Sequence, residues 1–486
     1  MRRVLMTLCI FSLTLFCKAQ DNDVRQRYEE FRRNARESYE NLRDEANRRY
    51  AEFKEEAWKE YQKLPGIRKP KDEVVPPVVL PEDDADKPIE SNPLPIEGVI
   101  TPPRPEPQPT PVNPINEQPR PAENYVSFTY CGTECKVRFD KAITLSLGNC
   151  SNAKLTSSWE ALSTTDFNNT LRDCLELRKR MRLSDWAYLN LINCFSEECF
   201  GKGADANFMT AYIFCQSGYK MRLGRAGSNV WLLFGSKHVI YDDGYYQIDD
   251  YRYYPFNCKE ESMEIYDMPF AKEQPMSLLI HDAQLFDSRP SISRNLISER
   301  YPDVNVSVNV NLNLIDFFNT YPASETDGNF MTRWAMYANT PLDEEVKKTL
   351  YPQLQECISG LNQKDAANKL LNWVQTAFVY QYDNVVWGCD RAFFAEESIY
   401  YPYCDCEDRS ILFSRLVRDL LGLKVVLVYY PGHLATAVNF GEDVEGDYIM
   451  LNGARFVISD PTYIGAPVGM TMEGMDNVSA TVILID

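Results

Sequence analysis

The chain has 486 residues, enough for two to four domains, and a formal net charge of −19. So acidic a protein is a poor partner for nucleic acid or for an anionic lipid surface, and basic substrates or plain solubility fit better. Past the first nineteen residues no apolar run is long enough to span a membrane.

The opening MRRVLMTLCIFSLTLFCKA carries two arginines, an apolar run and a C-x-A ending before Gln20, the pattern of a secretory signal peptide over residues 1–19. Its removal takes the net charge from −19 to −22 and places the mature protein outside the cytoplasm, periplasmic or extracellular. Bulky Phe16 stands where a lipid-anchored Cys17 needs a small residue, which argues against anchoring. From 20 to 64 an eleven-residue repeat sets Tyr28, Tyr39, Tyr50 and Tyr61, then Phe31, Leu42, Phe53 and Leu64, then Ala35, Ala46 and Ala57 on one helical stripe. Eleven residues over three turns favour a straight or gently right-handed coil. The stripe fits either a solvent-exposed helix or one that self-associates or docks on a partner. Residues 65–123 hold seventeen of the 29 prolines, which predicts an extended linker without a fold of its own.

From 124 to 325 the pattern is mixed α+β. YVSFTY and VRF read as strands, Trp159–Leu177 as helical, and Ser184 as the N-cap of another helix. ADANFMTAYIFCQSGYKMRLG then precedes the strand-like NVWLLFG, KHVIYDD and YYQIDDYRYY. That order of helix, glycine, strand and strand echoes a stretch near the C-terminus. The region therefore reads as a degenerate copy of the same topology, inactive because Lys202 or Gly203 falls where the later copy has a cysteine. Val304, Val306, Val308, Val310, Leu312 and Leu314 alternate with polar residues as one half-buried strand, whose flat edge would invite aggregation. Cys131 with Cys135, and Cys194 with Cys199, are spaced closely enough to bridge in an oxidising compartment.

From 326 onward the helices DEEVKKTLYPQLQECISG and KDAANKLLNWVQTAFVY lead into an aromatic loop containing Trp387, Phe393, Phe394 and Tyr400. Trp387 and Tyr400 are candidates to wall a substrate cleft. Ile411, Leu412, Leu416, Leu420 and Leu421 then recur at helical spacing up to Gly422. Cys406 sits at that helix's N-terminus, where free N–H groups favour a thiolate and can bind an oxyanion. Glu407 and Asp408 oppose the thiolate unless they turn away, with Arg409 offsetting part of their charge. Lys424–Tyr430 reads as a buried strand, Pro431-Gly432 as a turn and His433–Phe440 as the next strand. Asn452-Gly453 marks a hairpin between Tyr448–Leu451 and Arg455–Asp460. If the last strand lies antiparallel beside the His433 strand, Asp460 falls next to His433. Cys406, His433 and Asp460 then match nucleophilic thiol chemistry: the thiolate attacks, the imidazole moves the proton, and the carboxylate fixes the tautomer. His238 and His281 lie in strand-like runs and read as structural. Cys404-x-Cys406 lacks a second ligand pair nearby, so no metal and no cofactor is expected.

The stretches DCEDRSILFSRLVRDLLGLKV, GHLATAV and ISDPTY together resemble the transglutaminase-like superfamily, of papain-like fold, in its bacterial cysteine-hydrolase branch. The resemblance covers about Asn339 to Asp486. It implies Cys406 as nucleophile, His433 as general base and Asp460 as orienting acid, with Asp408 and Ser410 in the later places of the nucleophile helix motif. Ser410 stands where alanine is common, and no aromatic residue follows His433. The implied architecture is an α+β, papain-like C-terminal domain over 326–486, with the nucleophile on a helix and His and Asp on an antiparallel sheet. The implied activity is cysteine-dependent hydrolysis of amide bonds in peptides or cell-wall-type material. The alternatives are acyl transfer to an amine, and a catalytically idle binding or assembly protein of the same fold.

Overall fold

The computed structural model describes residues 75–81, 89–115, 124–139, 144–163 and 168–486, apart from 242, 259, 261, 267–268 and 270–271. The signal peptide and the eleven-residue repeat lie outside the described residues. The described residues fall into two units, one within 75–380 and Arg391–Asp486 and one within Gln381–Asp390. In the second, the described residues form a short helix, Asp383–Val386, whose end is closed by the Trp387 N–H donating to the Asp383 carbonyl at 2.6 Å.

The first unit is mixed α+β, as its alternation of helical and period-two patterns predicts. Two antiparallel sheets organise it. In the C-terminal sheet the strands are Lys424–Tyr430, His433–Asn439, Tyr448–Leu451, Ala454–Ser459 and Thr481–Leu484. In the N-terminal sheet they are Met221–Ala226, Asn229–Ser236, Tyr246–Ile248, Tyr251–Pro255 and Glu264–Tyr266. Numbered in chain order within each set, both sheets run fifth, first, second, fourth, third, and all these neighbours are antiparallel. The first hairpins also share a register. Tyr430 faces His433 across Pro431-Gly432, and Ala226 faces Asn229 across Gly227-Ser228. Each sheet is entered from a helix, Ala204–Gln216 or Cys406–Leu416. The second ends in a π-turn over Val417–Leu421, stopped by Gly422 in the left-handed region at φ 65°. Asn452 and Gly453, at φ 49° and 80°, make the expected tight hairpin.

The apolar core runs across position 326. Phe317, Trp334 and Tyr337 cluster with Phe394, Ile411 and Leu427, and the same cluster reaches back to Phe128 and Phe195. Full burial of each such side chain stabilises the fold by about 1.5–3 kcal/mol.

The structure corrects three expectations. The proline-rich stretch is not a free linker where it is described. Gly98–Ile100 adds a sixth strand to the C-terminal sheet, parallel to Thr481–Leu484. At the opposite edge, Leu94 N–H donates to the Tyr448 carbonyl (2.7 Å) and Tyr448 N–H to the Asn92 carbonyl (3.0 Å), while Leu94 and Ile96 pack on the sheet's apolar face between. Prolines suit this role, because a segment that meets a sheet at its edges needs few N–H donors. Further on, Gly218 lies at φ 96° with Thr110 so close that a Cβ would fall 2.0 Å from its carbonyl oxygen, so only glycine fits.

The second correction concerns the alternating valines. The strand covers only Asn305–Val308, and Asn311 then caps a helix, Leu312–Asn319, by accepting from the Asn313 N–H. An N-cap after a short apolar alternation overrides the period-two reading. Its outer edge is not bare either, since the Gln353 side chain accepts from Ser307 N–H (3.0 Å) and donates to the Ser307 carbonyl (2.9 Å). The third concerns the cysteines. All twelve from Cys131 to Cys406 are free thiols. Cys194 and Cys199 are five apart on the helix Asp185–Phe200 and so point to different faces, and Cys135 is buried with its sulfur 3.9 Å from that of Met181.

Candidate active site

The nucleophile helix is fixed at its first turn by buried polar groups. Asp408 is fully buried and accepts from the N–H groups of Phe393 (2.8 Å) and Asp405 (3.2 Å), the second closing the helix N-terminus. Arg409, 1% exposed, does not offset the neighbouring carboxylates as the sequence suggests. It turns inward and donates to the carbonyls of Gln375 (3.0 Å) and Phe378 (2.9 Å). One helical turn after Cys406, Ser410 Oγ donates to the Leu434 carbonyl at 2.9 Å. That bond stitches the Cys406 face of the helix to the head of the His433 strand.

His433 is the first residue of its strand and its side chain is fully buried. The Ala454–Ser459 strand lies antiparallel beside it, with Thr436 opposite Ser459, so Asp460 comes off that strand next to His433. One nitrogen, Nε2, lies 2.8 Å from Asp460 Oδ2. The other oxygen of Asp460 accepts from Thr462 N–H (2.8 Å) and Tyr463 N–H (3.2 Å), so the carboxylate has no freedom to turn away. His433 Nδ1 is buried and, among the described residues, has no hydrogen-bond partner. The Tyr430 ring stacks against the imidazole, with centroids 6.3 Å apart and planes 19° from parallel.

Cys406 is 5% exposed, and its Sγ donates to Glu407 Oε2 at 3.3 Å. Burial pushes the thiol well above its ordinary range, the Glu407 carboxylate pushes it further, and the Leu434 backbone amide acts in the opposite direction. Glu407 therefore does not turn away from the sulfur.

Of the two candidate cleft residues, Tyr400 ends the helix Ala395–Tyr400 and packs, half-buried, against the cluster of Leu370, Ile399 and Leu412. Trp387 belongs to the unit that contains Gln381–Asp390 and follows its short helix. His238 is structural: Nε2 accepts from Leu278 N–H (3.2 Å) and Nδ1 meets Ser324 Oγ (3.2 Å). His281 is exposed. Asp405, Cys406 and Glu407 each bring a ligand-type atom within 4.8 Å of the others.

One residue escapes the sequence reading. Gln375, 1% exposed, donates to the carbonyls of Asp460 (2.9 Å), Tyr463 (2.8 Å) and Ala466 (3.0 Å) and so clamps the loop that carries Asp460. Its signal is a glutamine on the apolar face of a helix, next to Val374 and one turn from Leu371.

The two sheets can be compared residue by residue. Asn207 Nδ2 donates to the Val230 carbonyl at 2.9 Å, as Ser410 does to Leu434, and Val230 and Leu434 each follow the first residue of the second strand. Asp205 accepts from Leu147 N–H (2.9 Å) as Asp408 accepts from Phe393. This correspondence puts Gly203 where Cys406 stands and Asn229 where His433 stands. The register of Leu233 opposite Pro255, carried on, puts Asn257 where Asp460 stands.

No protein-family model, no curated protein and no solved structure matches this chain. Among the described residues no helix is long and apolar enough to cross a membrane.

Proposed function

We propose that the chain is an exported cysteine-dependent hydrolase of amide bonds, with Cys406 as nucleophile, His433 as general base and then acid, and Asp460 as the group that orients it. The observation that carries this reading is the imidazole. One nitrogen is held by a fixed carboxylate at 2.8 Å, and the other is buried and unpartnered, on a strand head stitched to the first turn of the Cys406 helix. A buried ring nitrogen without a partner is costly to the fold, and a catalytic role is one reason to keep it.

In the proposed reaction the Cys406 proton moves to His433 Nδ1 and the sulfur attacks the substrate carbonyl. The C–N bond breaks as His433 returns the proton to the leaving amine, giving a thioester on Cys406. Water then attacks, His433 takes its proton, and the carboxylic acid leaves with the thiol restored. The free N–H groups of the first helical turn are suited to stabilise the oxyanion. The substrate class that fits is a peptide or peptidoglycan-like amide, and the family resemblance to transglutaminase-like, papain-like enzymes supports the same assignment. An amine in place of water would give acyl transfer from the same thioester.

A second reading, a binding or assembly protein without turnover, is favoured by the Cys406 thiol's hydrogen bond to Glu407 and not to His433. Turnover of peptides and peptidoglycan fragments by the intact chain, by Cys406→Ser and by His433→Ala separates the two. The hydrolase reading expects each variant to lose at least about a thousandfold in rate with its circular dichroism unchanged. Turnover that survives in Cys406→Ser would overturn it, and no turnover of any amide by the intact chain would leave the binding reading standing.

A further inference from the structure

Three buried carboxylates around the site are held on both oxygens. Asp408 takes two backbone N–H groups, Asp460 takes His433 and two backbone N–H groups, and Glu397 takes Arg391 and the Phe394 N–H. Glu407 is 7% exposed, and among the described residues it has neither a cation nor a backbone amide. Its one hydrogen-bond partner is the Cys406 thiol, a weak donor, at 3.3 Å. A carboxylate buried without a cation is unfavourable for the free protein, and beside a nucleophile it also opposes the thiolate. Both penalties disappear when a positive charge arrives with the substrate.

We propose that Glu407 is the specificity group of this site, and that it takes a positively charged nitrogen, of the primary ammonium class, carried by the substrate next to the carbonyl that Cys406 attacks. The proposal rests on the reading of Cys406 as nucleophile. The ammonium replaces the thiol as the partner of Glu407 Oε2. The thiol proton is then free to turn to His433 Nδ1, and the carboxylate's opposition to the thiolate is cancelled. Binding the correct charge and arming the nucleophile become one event, and a neutral or acidic substrate gains neither. The strongly acidic balance of the chain would draw such substrates toward the protein from a distance, whereas Glu407 would select them at the bond.

The test uses small alkylating probes of different charge on the full chain, read at Cys406 by mass spectrometry: 2-bromoethylammonium, iodoacetamide and iodoacetate. In each case a sulfur–carbon bond forms, the carbon–halogen bond breaks, halide leaves and the thiol proton passes to the imidazole. Each rate is divided by that of the same probe with N-acetylcysteine, which removes the intrinsic reactivity of the reagent. The expected result is a normalised preference of roughly tenfold for the cationic over the neutral probe at Cys406, with the anionic probe slower than both. Glu407→Gln, which keeps the shape, should bring the preference close to one, and Glu407→Asp should keep part of it. A preference that persists in Glu407→Gln would assign it to the acidic chain as a whole and overturn the proposal, as would no preference in the intact chain. His433→Ala separates this from the parent reading. If it slows all three probes alike, the nucleophile reading holds whatever the charge preference. If it slows none, that reading fails. Absence of any reaction at Cys406 with all three probes would overturn both.

Discussion

The N-terminal and C-terminal sheets have one strand order and one entry geometry, yet only the C-terminal one has a candidate constellation. What they share is framework. Asp205 and Asp408 each fasten an upstream backbone amide to the first turn of the entering helix, and Asn207 and Ser410 each fasten that helix to the second strand. What they do not share is chemistry, since Gly203, Asn229 and Asn257 stand where Cys406, His433 and Asp460 stand. The two buried histidines make the same contrast. His238 has a partner on each nitrogen and is a structural side chain, whereas His433 has one nitrogen fixed and one left over. A shared fold supplies positions, and the residues at three of them decide whether a reaction is available.

The comparison is broken most sharply by exchanging the two carboxylate positions. Asp460→Asn should leave the fold intact but free the imidazole to take the wrong tautomer, slowing turnover by about a thousandfold to ten-thousandfold. Asn257→Asp should change neither turnover nor thiol reactivity, because no imidazole stands beside it. Steady-state rates of the two variants check this, and a large loss in Asn257→Asp would show that the N-terminal sheet takes part in the chemistry.

A smaller effect distinguishes how the two regions respond to pH. Burial lowers His238 from 6.5 to about 4, so its contribution is present above pH 6.5 and is lost as pH falls toward 4. Burial raises Glu396, in the C-terminal region, from 4.5 to about 8, so its contribution is present below pH 4.5 and is lost as pH rises toward 8. Urea midpoints across this range should therefore show Glu396→Gln losing stability less steeply than the intact chain as pH rises, with the acid side unchanged. An unchanged slope in Glu396→Gln would assign the alkaline loss to other groups.

Much of the C-terminal sheet is legible in the sequence, because its signals are local. Lys424–Tyr430 is a run of β-branched and aromatic residues, Pro431-Gly432 and Asn452-Gly453 are strong turn signals, and the resulting register sets Asp460 beside His433. The order of helix, glycine and strands also exposes the likeness to the N-terminal sheet. The proline-rich segment was not legible, because prolines announce the absence of regular structure and say nothing about which sheet edges the segment meets. Its contacts with Tyr448, Ala480 and Thr481 join residues more than three hundred positions apart. Side-chain direction was equally hidden. Composition shows that Glu407 and Arg409 flank the nucleophile. Only packing shows that the arginine turns inward to the carbonyls of Gln375 and Phe378 while the glutamate stays at the sulfur.

Two neighbouring thiols offer the most direct test of the central claim. Cys404 and Cys406 are both buried, at 3% and 5% exposure, two residues apart. Cys404 has the Arg409 guanidinium 3.5 Å from its sulfur, and Cys406 has the Glu407 carboxylate at 3.3 Å. If nearest charges alone set reactivity, Cys404 would be the more ionised and the faster thiol. If His433 takes the proton of Cys406, the order is reversed. The measurement is site-resolved iodoacetamide labelling of the folded, full-length chain near neutral pH, with and without His433→Ala. The account predicts that Cys406 is labelled faster than Cys404 and every other cysteine, and that the lead vanishes in His433→Ala. Labelling of Cys404 or any other cysteine at or above the rate of Cys406 in the intact chain would contradict it.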